Sequence, residues 1–291
     1  AEWYRGYDGL IPMDEAEARS KELAARYVEL APDSGHFEAA RAWEYDVAGE
    51  LETAAEQCLL SLEKNLGDSE QLRWAGRFAL IIGKLDVGVS ILEHALAIDP
   101  LNHQVRRILS QALMYRGGPG DLRRAIDVRE QYLASVASGG QPYYSLLLIL
   151  TGEPERVADL WLDFPVEVHE QKTAYMAMAD YSMGNVEDAE AKVASLKDLL
   201  AQLAKEGRNQ RKQEDLRYAV ATVAAWMGDA DKAFSNLLPP RQSAGHFVRQ
   251  ELHNPQWREI RDDPRWLEYR EAIGMSQERL DAIEFDPWLP E

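Results

Sequence analysis

The chain has very little cysteine, no long apolar run and no excess of basic residues, and each of these absences excludes a class of protein. Cys58 is the single cysteine among 291 residues, so neither an intrachain disulfide nor a cysteine-based metal cluster can form. No stretch approaches the roughly 20 consecutive apolar residues of a membrane-spanning helix. With 50 acidic and 32 basic residues the net charge is −18, which disfavours nonspecific binding to nucleic acid or anionic membranes. We therefore predict no nucleic-acid partner and no direct insertion into a membrane.

Motifs for catalysis and for metal or phosphate binding are also missing. The six histidines show no spacing, with one another or with carboxylates, that suits a metal ion. The glycine-rich stretch Gly117–Gly120 lacks the Lys and Ser/Thr of a phosphate-binding loop. We find no nucleophile–base pattern. We therefore predict a noncatalytic protein without a cofactor. A helical-repeat hydrolase is the alternative, and it requires His and carboxylate side chains that converge only in the fold.

The sequence does contain a helical unit that recurs. In residues 67–102, small and apolar residues follow a helical spacing on both sides of Gly83. Small residues such as Gly76 and Gly88 let two helices approach closely. The composition, rich in alanine and poor in strand signals, predicts an all-α chain. A helical hairpin this short cannot bury its own apolar stripe, so it needs neighbours of the same kind. Cys58 falls where a second helix packs on its partner, so we predict a buried, apolar role for it.

The hairpins recur at an interval of 34 residues. Pro100, Leu66 and Pro32 are separated by two such steps, and Gly49 precedes Gly83 by one. A glycine followed five to eight positions later by a small or branched residue marks six copies, at Gly49, Gly83, Gly117, Gly152, Gly184 and Gly228. This interval is that of the tetratricopeptide repeat, and residues 1–240 resemble that superfamily. The resemblance implies a right-handed superhelical α-solenoid of helix-turn-helix repeats.

Breaks in the pattern divide the chain into three parts. The stretch Ser138–Pro142 is rich in glycine, so the stack can bend there. We predict N-terminal repeats in residues 1–138, C-terminal repeats in residues 139–240, and a helical cap and tail in residues 241–291. At the N-terminus we predict a short first helix at 3–10. In its partner helix, at 14–30, we expect three side chains to face inward: Leu23, Tyr27 and Leu30.

The C-terminal part has its own helix signals. Asn254-Pro255 and Asp263-Pro264 are typical helix starts, and Gly274 is a helix end. Five apolar residues are expected to close the last face of the stack: Trp257, Ile260, Trp266, Leu267 and Ile273. Residues 252–274 resemble the closing segment of tetratricopeptide regions in bacterial multidomain regulators that carry a nucleotide cyclase or a winged-helix domain. The resemblance implies the sensing or docking part of such a regulator.

The resemblance also implies a groove. In tetratricopeptide folds the first helices of successive pairs line a concave surface. The family register assigns to this surface Trp43, Arg73, Arg77, Arg107, Gln111, Tyr115, Tyr181 and Tyr218. The planar guanidinium of arginine matches a carboxylate in two-point contact. We therefore predict that Arg73, Arg77 and Arg107 bind a C-terminal carboxylate or acidic stretch of an extended peptide, while Trp43, Tyr115 and Tyr181 hold its apolar side chains.

This site resembles the carboxylate clamp of chaperone-binding tetratricopeptide modules. The Lys/Asn pattern of those clamps is absent, so a chaperone partner is not implied. Two alternatives remain open. The arginines could instead pair with Glu38, Glu44 or Glu70 of neighbouring helices. The chain could also form a homo-oligomer in which the groove receives the tail, residues 285–291, of another copy.

Overall fold

The computed structural model describes residues 12–135, 141–162, 169–207, 209–239 and 245–290. These residues form helices and turns, and contain no strand. The first helices of the pairs are α2 (His36–Ala48), α4 (Ser69–Ile81), α6 (His103–Arg116), α8 (Gln141–Leu150), α10 (His169–Ser182) and α12 (Gln210–Trp226). The second helices are α3 (Leu51–Lys64), α5 (Leu85–Ile98), α7 (Asp121–Ser135), α9 (Arg156–Leu160), α11 (Val186–Glu206) and α13 (Ala230–Leu237). Helix α1 (Met13–Leu30) precedes them.

The C-terminal part is made of short helices. They are α14 (Gly245–Gln250), two 3₁₀ segments (Glu251–His253 and Pro255–Ile260), α15 (Pro264–Ala272) and α16 (Gln277–Ala282). In the ranges that the structure describes, no helix is both long enough and apolar enough to cross a lipid bilayer.

Each helix of the stack packs against its neighbours in the chain. Each first helix contacts its own second helix, and the first helices also pack side by side, α2 on α4, α4 on α6, α8 on α10 and α10 on α12. This arrangement is an α-solenoid of helix-turn-helix repeats with a tetratricopeptide-like fold, as the sequence predicted. The predicted division at residue 138 lies outside the described residues and stays a prediction.

The glycines that mark the six repeats lie where the chain leaves a first helix. All six have a positive φ, and Gly49 (83°) and Gly83 (78°) are examples. Residues with a Cβ rarely adopt this left-handed conformation, so glycine is favoured at the helix end. The small or branched residue five to eight positions later is buried in every repeat, at Ala54, Gly88, Ala125, Val157, Ala189 and Ala233.

The contact between α4 and α5 depends on two glycines, Gly76 and Gly88, which have no side chain. A Cβ built on Gly76 would lie 2.6 Å from Leu92 Cγ, and one on Gly88 would lie 2.6 Å from Leu80 Cδ1. The close approach that the sequence predicted is therefore confirmed. Cys58 is buried in the same core, and burial raises the pKa of its thiol well above the usual range.

Two predictions about apolar faces are wrong. Leu23 and Leu30 of α1 are 51% and 75% exposed, because in the described part of the chain α1 packs mainly against α2. The side chain of Tyr27 and the predicted helix at 3–10 lie outside the described residues. Leu267 is 59% exposed. It follows Trp266, which points inward, and successive residues of a helix point in directions about 100° apart.

The predicted helix starts, the helix end and the other four apolar residues of the C-terminal part are confirmed. The side chain of Asn254 accepts a hydrogen bond from Gln256 N (3.1 Å), and that of Asp263 accepts one from Arg265 N (2.9 Å). Trp257, Ile260 and Trp266 are buried, and Ile273 packs, partly buried, against the core. Gly274 ends α15 with φ of 72°.

Candidate functional site

The six first helices, α2, α4, α6, α8, α10 and α12, turn one face toward the same short segment of the chain, and we call this face the inner groove. Residues 249–257 of the same chain lie against it, and we call them the inserted segment. Arg249 Nη2 donates hydrogen bonds to the carbonyl oxygens of Asp46 and Val47 at the end of α2. Gln250 then connects two helices: its Oε1 accepts from Arg77 Nη2 of α4 (2.8 Å), and its Nε2 donates to Gln111 Oε1 of α6 (3.2 Å).

The inserted segment continues across the remaining three inner helices. Tyr143 of α8 donates its hydroxyl hydrogen to Glu251 Oε1 (2.5 Å). Tyr175 of α10 donates to Gln256 Oε1 (3.5 Å). The ring of Tyr218 in α12 meets that of Trp257 edge to face, with 5.4 Å between centroids. The side chains of this one segment therefore contact all six inner helices.

The rest of the C-terminal part connects the two ends of the solenoid. Arg265 forms an ion pair with Asp231 of α13 (2.8 Å). Arg279 binds Glu52 of α3 and donates to the carbonyl oxygen of Gly49 (2.9 Å). The sequence predicted that the C-terminal part closes the final face of the stack. In the structure it also lies in the inner groove and contacts the first repeats.

Arg73 is neutralised within its own helix. Its Nε and Nη2 donate to both carboxylate oxygens of Glu70, at 2.8 to 3.2 Å. Its guanidinium also lies over the ring of Trp74, with Cζ 4.2 Å from the centroid. Glu70 is one of the alternative partners that the sequence offered, but it lies on the same helix as Arg73 and not on a neighbouring helix. Trp74 was missed because it lies next to the family's groove positions rather than on one.

Arg77 and Trp43 lie together at the N-terminal end of the inner groove. Arg77 Cζ is 4.9 Å from the centroid of the Trp43 ring, and the rings of Trp43 and Trp74 are 4.9 Å apart. Beside them is a small cleft, which we call the tryptophan cleft. Besides these three side chains it is lined by Ala39, Ala42, Asp46, Cys58, Phe78 and Ile81.

Gln111 and Tyr115 belong to a buried polar network in the middle of the groove. Gln111 Nε2 donates to the hydroxyl oxygens of Tyr115 (2.8 Å) and Tyr143 (3.2 Å). Both tyrosines lie close to the carboxylate of Glu251, and burial raises their pKa values well above the usual one. Tyr143 was not predicted as a groove residue, since it lies beside Pro142 in a break of the repeat pattern.

The remaining predicted residues lie elsewhere along the groove. Tyr181 is partly exposed, and its hydroxyl donates to the carbonyl oxygen of Met227 (3.5 Å). Arg107 is partly exposed and donates from Nε to Gln104 Oε1 (2.9 Å). Four of the eight predicted residues contact the inserted segment: Arg77, Gln111, Tyr115 and Tyr218. That any of the eight binds a partner stays a prediction.

Two titratable groups of the inserted segment have shifted pKa values. Burial raises the pKa of Glu251, and hydrogen bonds from Tyr143 and Asn254 lower it only in part. Burial, with the nearby charges of Arg261 and Arg270, lowers the pKa of His253 to about 4. Both side chains are therefore favoured in their neutral forms when the segment lies in the groove.

A metal centre and the alternative hydrolase site would both need His and carboxylate side chains that converge in the fold. Over the described residues, no group of three or more His, Cys, Asp and Glu side chains is placed so that it could hold a metal ion. The side chains of His169 and His246 lie outside the described part.

Comparisons with known proteins identify no family for this chain. No protein-family model matches the chain, and no curated protein matches it significantly. Among solved structures, a chain from a structure of Naa15/Naa10 bound to HypK-THB is similar over 94% of this chain, at 14% identity and a TM-score of 0.30. The match covers 57% of that chain. The class is defined by the molecule itself: it is a tetratricopeptide-like α-solenoid whose inner groove contains its own C-terminal part.

Proposed function

We propose that this chain is a noncatalytic scaffold that binds a segment of a partner protein at the N-terminal end of its inner groove. The observation that supports this is the tryptophan cleft, where two indole rings and a guanidinium flank a space at the end of the inner groove. Tryptophan and arginine are the residue types that dominate binding energy at protein interfaces. A preformed cleft also lowers the ordering cost of binding a flexible segment.

The middle of the groove is a poor place for a competing partner. Trp257, Asn254 and Gln256 of the inserted segment are fully buried. Removing a buried tryptophan from a core costs about 3–5 kcal/mol. A partner that displaced the segment would have to recover that free energy before it gained any affinity. We therefore place the partner beside the inserted segment and not in its place.

The three predicted arginines differ in the groups that they contact. Arg73 forms an ion pair with Glu70, and the guanidinium of Arg77 donates to Gln250 Oε1. Arg107 is partly exposed, and we propose that it binds an acidic group of the partner, while Trp43 and Trp74 receive an apolar side chain.

A peptide array on the full chain, followed by calorimetry, tests the proposal. Trp43→Ala is expected to weaken the best peptides at least tenfold, because such anchors contribute about 2 kcal/mol or more. Arg107→Ala is expected to weaken peptides with an acidic group, and Arg73→Ala to have a small effect. Leu101→Ala is the control, since Leu101 is 83% exposed. Unchanged affinity in Trp43→Ala for every peptide found would exclude the proposal.

A second candidate function is self-association through the tail. Phe285 packs on Phe78, which lines the tryptophan cleft, with 5.5 Å between ring centroids. The tail therefore runs beside the cleft, and Trp288 is exposed on it. Light scattering tests this candidate: Trp288→Ala should lower the mass of an oligomer, and a wild-type chain of monomer mass rules it out.

We also propose, from the resemblance of residues 252–274 alone, that the chain is the sensing or docking part of a bacterial regulator. Sequencing the gene that encodes it tests this. A cyclase or winged-helix domain in the same reading frame would support the proposal, and a bacterial gene without an effector domain would contradict it.

A further inference from the structure

The six first helices are not packed equally on one another along the inner groove. Before the middle of the stack α2 packs on α4 and α4 on α6, and after it α8 packs on α10 and α10 on α12. In the described part of the chain, the packing of α6 against α8 is sparser than in any of these pairs. We call the step from α6 to α8 the joint of the solenoid.

The two sides of the joint are held differently. On the outer side the second helix α7 packs on α8, and Tyr144 Oη donates to Glu130 Oε1 (2.7 Å). On the inner side α6 and α8 meet through side chains, and Gln111 Nε2 donates to Tyr143 Oη (3.2 Å). Sparsely packed regions open more easily than densely packed ones. An opening motion is therefore expected on the inner side, about the contact between α7 and α8.

The inserted segment crosses the joint on this inner side. Gln250 Nε2 donates to Gln111 Oε1 of α6 (3.2 Å), and Glu251 Oε1 accepts from Tyr143 Oη of α8. Gln250 and Glu251 are consecutive, so one peptide unit connects both sides of the joint, and we call these two residues the clasp. Gln250 is 5% exposed and Gln111 is 0% exposed, so the hydrogen bond between them is shielded from water.

The length of the inserted segment limits the shape of the stack. Packed helices lie about 8–10 Å apart, so a flat row of six would extend over at least about 40 Å. Residues 249–257 include two 3₁₀ segments, and at the rise of a 3₁₀ helix they extend over only about 16 Å. Their side chains nevertheless contact all six inner helices. The row must therefore curve around the segment, and it cannot straighten while these contacts persist.

We propose that the clasp holds the joint closed, so that the C-terminal part sets the angle between the repeats that end with α7 and those that begin with α8. The C-terminal part is anchored on both sides of the joint, since Arg279 binds Glu52 of α3 and Arg265 binds Asp231 of α13. Loss of the clasp then lets the two groups of repeats move relative to each other as units. The inference does not require the proposed function to be correct, because no partner takes part in it.

Distances between two spin labels on the full chain test the inference. Leu101→Cys and Met183→Cys place labels at exposed positions before and after the joint. The native Cys58 is buried, so the label reacts with the introduced thiols. Double electron–electron resonance should then give a narrow distance distribution for the chain with an intact clasp. Leu60→Cys with Leu101→Cys is the control pair, because both positions are exposed and lie before the joint.

Two variants remove the contacts of the clasp. Gln250→Ala combined with Glu251→Ala removes both of its side chains, and Tyr143→Phe removes the hydroxyl group on α8 but keeps the ring. Both variants should broaden the distance distribution across the joint and leave that of the control pair unchanged. Glu251→Gln is the matched control variant: its amide oxygen can still accept from Tyr143, so the distribution should stay narrow. Circular dichroism should show the same helix content in every variant.

A change that is confined to the joint, with the helix content retained, supports the inference. A distribution that stays narrow in both clasp variants would overturn it, because other contacts would then hold α6 and α8 together. A distribution that is already broad with the clasp intact, or a control pair that broadens equally, would also overturn it, since the motion would then not depend on the clasp or not be confined to the joint. If the double variant loses helix content, Tyr143→Phe alone decides.

Discussion

Arg77 and Gln250 are 173 residues apart in the sequence and are joined by two hydrogen bonds, from Nη2 (2.8 Å) and Nε (3.3 Å) of the arginine to Oε1 of the glutamine. Gln250 also donates to Gln111 of the next repeat. One amide thus satisfies a buried guanidinium and a buried amide on two different helices. This contact fixes the C-terminal part in the inner groove, and it decides which parts of the groove a partner can reach.

Gln250→Ala should loosen the inserted segment. It leaves Arg77 and Gln111 buried with fewer partners, which costs about 1–3 kcal/mol. Hydrogen exchange should then show faster exchange in residues 249–257 than in α4 or α6. Gln210→Ala, at an exposed position, is the control. Unchanged protection of residues 249–257 would contradict a stabilising role for Gln250.

Trp257→Ala should lower the free energy of unfolding by about 3–5 kcal/mol, because it removes a fully buried ring that packs on Tyr218 and Trp266. Urea unfolding measures the change. Trp288→Ala, at an exposed site, should change the value by no more than about 0.5 kcal/mol. Equal effects of the two substitutions would mean that the C-terminal part does not belong to the core.

Stability should fall in acid because of His253. Its pKa is about 4 in the folded chain and about 6.5 in the unfolded chain. Between pH 6.5 and 4 the unfolded chain binds a proton that the folded chain does not, so the free energy of unfolding falls by up to about 3 kcal/mol. The NMR resonance of His253 should report a neutral ring down to about pH 5. His253→Asn should reduce the loss of stability between pH 6.5 and 4. An unchanged dependence of the free energy of unfolding on pH would show that His253 does not cause this loss.

Glu251 should change the pH dependence of stability in the opposite direction to His253. Its pKa is raised in the folded chain, so the folded state prefers the protonated form. That contribution is present below the unfolded value of about 4.5 and is lost as the pH rises through the folded-state pKa. Glu251→Gln should therefore gain stability at neutral pH relative to the wild type, measured by urea unfolding at two pH values. A loss at neutral pH would show that the ionised carboxylate is the preferred form.

Gly76→Ala should be destabilising although alanine favours helices over glycine by about 1 kcal/mol. The new Cβ would lie 2.6 Å from Leu92 Cγ, and overpacking of this kind costs about 1–3 kcal/mol. Combining it with Leu92→Ala removes the atoms that the Cβ meets. The double-mutant cycle should therefore show a favourable coupling between the two substitutions, and strict additivity would argue against the close contact.

Local signals in the sequence account for the repeats and for some of the site. Gly76 and Gly88 predict the α4–α5 contact, since each helix face is readable from nearby residues. The pairing of Arg73 with Glu70 is also local, one helical turn apart, and it was foreseen as an alternative. Leu23 and Leu30 were misassigned because an apolar stripe predicts a buried face only when a neighbour covers it.

The sequence by itself determined the helical repeat, its interval, the glycine turns and the helix starts at Asn254 and Asp263, because these depend on residues within one or two helical turns. Only the tertiary structure decided that residues 249–257 lie in the inner groove. Those contacts join residues up to about 200 positions apart, and no periodicity records them. Side-chain complementarity across the curved stack selects them when the repeats pack.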